Sequence, residues 1–181
     1  MQARRDFDAG LQMARAHGDR PSECVAFIGL SAVVLWQGDE TWALALARQA
    51  LDIAVASKAR DLEGVAGLRL GAAELARGRR AAGRDAYAQA HARVVEIDAA
   101  WQHDAGAGLA RVALAEGDAT AAMAVLQPLL EHIAAGGTLD ATEHPRLVEL
   151  SCHLALACAG DPRADEWLAR AHSALMAQAD A

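Results

Sequence analysis

Seven histidines and three cysteines are the residues of this chain best suited to holding a metal ion or acting on a substrate. Cys152, His153 and Cys158 stand closest together. On a helix, positions six apart point about 120° away from each other, so Cys152 and Cys158 are poorly placed to clasp one ion. Burial as small apolar side chains is the expected state of both. No HExxH segment occurs, and no two histidines lie four apart. Asp140, Glu143 and His144 form a carboxylate–imidazole group that could move protons. Helix capping accounts for the same residue types, and neither a nucleophile nor a glycine-rich phosphate cradle accompanies them. Tyr87, His91 and Glu96 make no recognisable constellation. The chain is therefore expected to be non-enzymatic, with no resident metal and no cofactor.

Four tryptophans, Trp36, Trp42, Trp101 and Trp167, stand out in a chain whose aromatic content is only 4%. Large aromatics often anchor interfaces. Trp42 and Trp167 fall early in helices and are expected to fill gaps left by alanine, whereas Trp36 and Trp101 could face a groove.

The elements that position these residues follow from composition. Of 181 residues, 54% are hydrophobic, and few of those are aromatic, so Ala, Leu and Val dominate. Ala and Leu are strong helix formers, and Ala lets helices approach closely. Four prolines leave long stretches free for helix. A net charge of −7 argues against a general nucleic-acid surface, which needs a concentrated positive field. The one basic run, Arg77, Arg79, Arg80 and Arg84, reads as a solvated turn. The cysteines form neither a CxxC pair nor an even framework, which fits a reducing compartment. With no signal peptide and no membrane span evident, the expected location is cytoplasmic.

Taken in order, the pattern predicts helices over 1–17, from a cap at Asp19 or Ser22 to about Trp36, and over 40–57, 62–77, 81–98, 99–115, 119–135, 145–159 and 162–179. Asp19 or Ser22 is the expected cap of the second. Asp39 caps the third after the turn residue Gly38, and Asp61 caps the fourth. In the RGRR turn Arg79 replaces the capping Asp, so the next helix should start less sharply. Pro128 should bend or split its helix. Thr142 or His144 is the expected cap before Pro145, and Asp161-Pro162 marks the last start.

The turn glycines Gly38, Gly78, Gly117 and Gly160 recur at intervals near forty. Leu11, Ala14, Glu23, Val25, Ala26 and Leu30 match Leu51, Ala54, Glu63, Val65, Ala66 and Leu70 at a displacement of forty. The chain thus reads as a half repeat over 1–19 followed by repeats over about 20–59, 60–98, 99–137 and 138–181, a single repeat domain and a fragment of a larger protein. Each helix pair is stabilised by its neighbours. An array starting on a half repeat should leave Phe7 and Leu11 partly uncovered, so the open N-terminal end could pair with a second copy or with the rest of a longer chain.

The segment QGDETWALALARQAL, residues 37–51, resembles the turn and second helix of a tetratricopeptide repeat (TPR), with Ala43 and Ala50 at its small-residue positions. Leu30, Leu70 and Leu109, each followed by a small residue, resemble the Leu-Gly pair of the first helix. Units this long are also similar to the C-terminal regulatory repeats of large bacterial signalling ATPases and transcription activators. The resemblance implies an all-α fold, a right-handed α-solenoid of antiparallel helix pairs with about nine helices. It further implies an interaction module that takes a protein or peptide segment on a concave face lined by first helices, or alternatively a small-molecule-sensing arm of a signalling protein. By that register the groove residues are Val25, Ile28, Ala32, Val65, Leu68, Ala72, Trp101, Asp104, Ala107 and Arg111.

Overall fold

A computed structural model describes residues 2–96, 101–139 and 144–179. Among these residues the structure is nine α-helices with no strand. They are α1 (Gln2–His17), α2 (Arg20–Trp36), α3 (Glu40–Ser57), α4 (Arg60–Ala76), α5 (Arg80–Glu96), α6 (Gln102–Ala115), α7 (Ala119–Ala134), α8 (Pro145–Cys158) and α9 (Ala164–Ala179). Two compact units divide the chain, Met1–Ala99 with α1–α5 and Ala100–Ala181 with α6–α9.

In the first unit each helix packs on the next, and α2 also reaches α4. Small residues set the spacing. A Cβ placed on Gly71 of α4 would stand 2.7 Å from the Tyr87 ring of α5, and one on Gly64 would stand 2.6 Å from Val94. Tyr87 and Val94 are both buried. Between α2 and α3 two side chains reach the facing backbone directly: Ser31 Oγ donates to the Ala43 carbonyl at 2.9 Å, and Cys24 Sγ to the Ala50 carbonyl at 3.2 Å. In the second unit α6 pairs with α7 and α8 with α9, while α8 also packs on α6 and α7. Its core gathers Leu126, Leu129, Leu130, Val148, Cys152, Leu156 and Trp167, joined by Leu139 from the connection before α8.

The turns follow their local chemistry. Gly38 takes φ +83°, a left-handed conformation that closes α2 without side-chain strain. Asp39 then accepts the Trp42 N–H at 2.9 Å to begin α3. Asp118 repeats this with Ala121 at 2.8 Å, and Asp19 with Ser22 at 3.1 Å. Arg79 stands at the corresponding place before α5, which starts at Arg80.

Five expectations are corrected. Asp61 does not cap α4: Lys58 turns left-handed at φ 55° to end α3, only Ala59 separates it from Arg60, and Ala59 occupies the cap position. Asp61 is therefore inside the first turn. Pro128 does not split α7, which runs through it; the proline is exposed, while Leu126, Leu129 and Leu130 around it are buried and hold the helix in place. Helix α9 starts at Ala164 rather than Pro162, because Asp161 accepts the Arg163 backbone N–H at 2.9 Å and pairs with its guanidinium at 2.7 Å, which folds Asp161–Arg163 into a turn. Leu11 is buried against the fold rather than partly uncovered, whereas Phe7 is half-buried, in line with the expectation, and packs on Gly29 of α2. His144 occupies the cap position of α8 without a side-chain cap bond. Thr142, like the ends assigned to residues 98 and 99, lies outside the described residues.

Two consequences are measurable by denaturant unfolding. Asp39→Ala and Asp118→Ala each lose a cap and are expected to cost about 1 kcal/mol, whereas Asp61→Ala should change stability by less than about 0.5 kcal/mol. Gly71→Ala drives a methyl into the buried Tyr87 ring and should destabilise by roughly 1–3 kcal/mol.

Candidate binding surface

The expected groove residues divide between the two units. In the first, Ile28, Val65 and Leu68 are buried, Leu68 to 4% exposure, while Ala32 and Ala72 are half-buried and Val25 is 49% exposed. Leu68 is thus part of the packing between helices. In the second unit Ala107 is buried, and Trp101, Asp104 and Arg111 are half-buried. Trp101 stands at the entry to α6, its carbonyl accepting the Ala105 N–H at 3.0 Å. Asp104 Oδ1 accepts the backbone N–H of His144 at 3.1 Å. That bond anchors the residue leading into α8 from a neighbouring helix.

Carrying the same register one repeat further identifies residues the sequence reading left out. The turn glycines Gly117 and Gly160 are separated by the same interval as Ala107 and Leu150, and as Arg111 and Leu154. Leu150 and Leu154 are 39% and 41% exposed, one helical turn apart on α8. Their neighbours Val148, Ser151, Cys152 and Ala155 are buried, so this stripe is the outward face of a helix whose other side is fixed in the core. The register was legible; its extension to the most divergent repeat was not, because the loop ahead of α8 obscures the alignment.

Ion pairs brace the helices beneath this surface. Glu149 of α8 is buried, and Arg170 of α9 approaches it at 3.5 Å. Burial raises the Glu149 pKa, an effect that the Arg170 charge opposes. Arg170 also lies over the Trp167 ring, 5.1 Å from its centroid, and the His153 ring nitrogen Nδ1 lies 2.8 Å from the Ala164 carbonyl, linking α8 to α9. In the first unit Glu63 pairs with Arg93 at 3.3 Å and Glu23 with Arg15 at 3.0 Å.

The tryptophans take different places. Trp167 is buried, Trp42 is half-buried under the Arg4 guanidinium at 4.4 Å, and Trp36 is 66% exposed near the end of α2. Arg79, Arg80 and Arg84 are exposed and Arg77 half-buried, as in a solvated turn, with Arg79 3.7 Å from Glu74.

The residues first considered for chemistry are spread apart. His103 and His132 bring their rings within 5.2 Å, and burial, followed by the neighbouring His132, lowers the His103 pKa. Among the described residues no three His, Cys, Asp or Glu side chains gather as a metal site. Asp140 and Glu143 lie outside the described residues. Cys24 and Cys152 are buried, but Cys158 is exposed, a correction to its expected burial: it falls at the end of α8, beyond the packed stretch. Burial pushes the Cys24 thiol up to about 11 and the Cys152 thiol up to about 12, with the charges of Asp61 and Glu149 adding to it.

No family model and no curated protein matches the chain. Solved structures do. The chain is similar to two crystal structures of a Podosopora anserina kinesin light chain with nearly identical TPR-like repeats, one of them a point variant. Identity is 14% to the variant and 16% to the other, with TM-scores of 0.64 and 0.60. The variant comparison covers 98% of this chain and 96% of the other protein; the second covers 96% of each. The fold is therefore an all-α, TPR-like helical-repeat array. No helix among the described residues is long and apolar enough to cross a membrane.

In native protein at mildly alkaline pH a thiol reagent is expected to label the exposed Cys158 quickly and the buried Cys24 and Cys152 only after unfolding. Counting released chromophore before and after denaturant checks this, and fast labelling of a second thiol in the native state would contradict the assigned burial.

Proposed function

We propose that the chain is a non-enzymatic protein-interaction module that takes an apolar-anchored partner segment on the second unit, with Leu150 and Leu154 as the apolar floor and Trp101, Asp104 and Arg111 as the flanking contacts from the α6 side. The exposed Leu150–Leu154 stripe carries this reading. Two leucines left open on a helix otherwise locked into its core match the i, i+4 spacing by which helical or extended segments anchor in grooves. The TPR-like fold supports it as an architecture that presents helix faces to partners. On α2 and α4 the accessible register positions, Val25, Ala32 and Ala72, offer a smaller apolar face, with Ile28, Val65 and Leu68 supporting it from below.

Peptides selected from a displayed random library on the wild-type chain test the assignment. Leu150→Asp and Leu154→Asp are expected to weaken the selected peptides at least about tenfold, and Arg111→Glu to shift the charge preference of the pool, with the helical circular dichroism unchanged. Peptides that bind the leucine variants as tightly as wild type would place the surface elsewhere. The resemblance to signalling ATPase repeats supports a second reading, a small-molecule-sensing arm in a cytoplasmic signalling protein, for which a metabolite that raises the melting temperature is the distinguishing result.

A further inference from the structure

The groove between α1 and α2 differs from its counterpart one repeat later. It encloses about 400 Å³ and is lined by Asp6, Gly10, Met13 and His17 of α1 and by Ser22 and Val25 of α2, over a floor of Ala14 and Ala26. The forty-residue register places the α1 stripe Asp6, Gly10, Met13 on Leu46, Ala50 and Ile53 of α3, all three buried. Val25 likewise corresponds to Val65, which is buried. At α1 the same stripe is open: Met13 is 65% exposed, and Asp6, Gly10 and His17 are exposed with it. What is covered by a neighbouring helix around α3 is uncovered here.

This stripe is complementary to itself. Asp6 and His17 share a midpoint between residues 11 and 12, and so do Gly10 and Met13. Laying a second α1 antiparallel about a two-fold axis through that midpoint sets each Asp6 carboxylate against the other copy's His17, and each Met13 against the other copy's Gly10. Both contacts occur twice, as an isologous interface requires. Space exists for the methionine, because nothing lies within 4 Å of the position a Gly10 side chain would take. The Asp6 carboxylate receives the Gln2 amide at 2.8 Å through Oδ1, and a carboxylate has acceptor sites for more than one donor.

We propose that a second copy of the chain docks in this groove, α1 against α1 in antiparallel, with Met13 seated in the hollow at Gly10 and Asp6 paired with His17. The reading is independent of the α6–α8 surface. One pair of sixteen-residue helices gives an interface at the small end of stable ones, so dissociation is expected at micromolar concentrations.

Sedimentation equilibrium over a concentration series from about 1 µM to about 1 mM tests it. A concentration-dependent dimer is expected, and a strict monomer at the top of that range would overturn the proposal. Met13→Asp and Gly10→Met should each raise the dissociation constant at least about tenfold while leaving the helical signal intact, both sites being exposed. The orientation is read by charge exchange. Asp6→Lys alone and His17→Glu alone should each weaken self-association, and an equimolar mixture of the two variants should recover it, because the introduced lysine then faces the introduced glutamate while Asp6 of one copy still meets His17 of the other. A dimer unaffected by Met13→Asp uses another surface, and a mixture that stays monomeric excludes the antiparallel pairing. Either result refutes the proposal.

Discussion

Close approach of helix backbones through small residues is the constraint on which the rest of this structure depends. Gly64, Gly67 and Gly71 form one stripe of α4 that receives Val94, Ala90 and Tyr87 of α5, with the Gly71 site 2.7 Å from the tyrosine ring. At α2 and α3 the helices are near enough for a serine hydroxyl and a cysteine thiol to reach main-chain carbonyls. In such seams alanine and glycine contribute little volume, so the few large side chains, Tyr87 in the first unit and Trp167 in the second, have fixed places in the packing. Two faces stay open beside these seams, the groove along α1 and the leucine stripe of α8.

The turns and caps were readable because they depend on local chemistry. A left-handed glycine followed by aspartate announces itself at Gly38-Asp39, which works as expected, and the structure shows Gly117-Asp118 doing the same. Asp61 was misread because the competing event is a left-handed lysine, a conformation that residue type rarely signals. Pro128 was misread as a possible break: the lost backbone bond is local, but the buried leucines that keep α7 one helix through it are a property of the packed unit.

Within the candidate surface, register was legible and exposure was not. Val25, Val65 and Asp104 occupy equivalent places in successive repeats, yet one is open, one is buried and one bonds across to the residue before α8. Periodicity assigns a residue to a helix face. Whether that face is covered depends on which helix comes next and on how far the connection lets it approach. For the same reason the most exposed apolar pair of the register, Leu150 and Leu154, lay in the repeat whose alignment was hardest to see.

The buried glutamates have a consequence for alignment of the helices along their axes. A seam of alanine and glycine is nearly indifferent to sliding by one turn, since small residues would again face small residues. Glu149, buried, and Glu63, half-buried, reduce that degeneracy: each lies on a first helix and pairs with an arginine of the adjacent helix, Arg170 and Arg93 respectively, whereas Glu23 meets both Arg15 of α1 and Arg20 of its own helix. A slip of one turn, about 5.4 Å, would leave the carboxylate desolvated and its arginine out of reach. These pairs therefore act as detents, selecting one axial setting from several that apolar contact alone would tolerate.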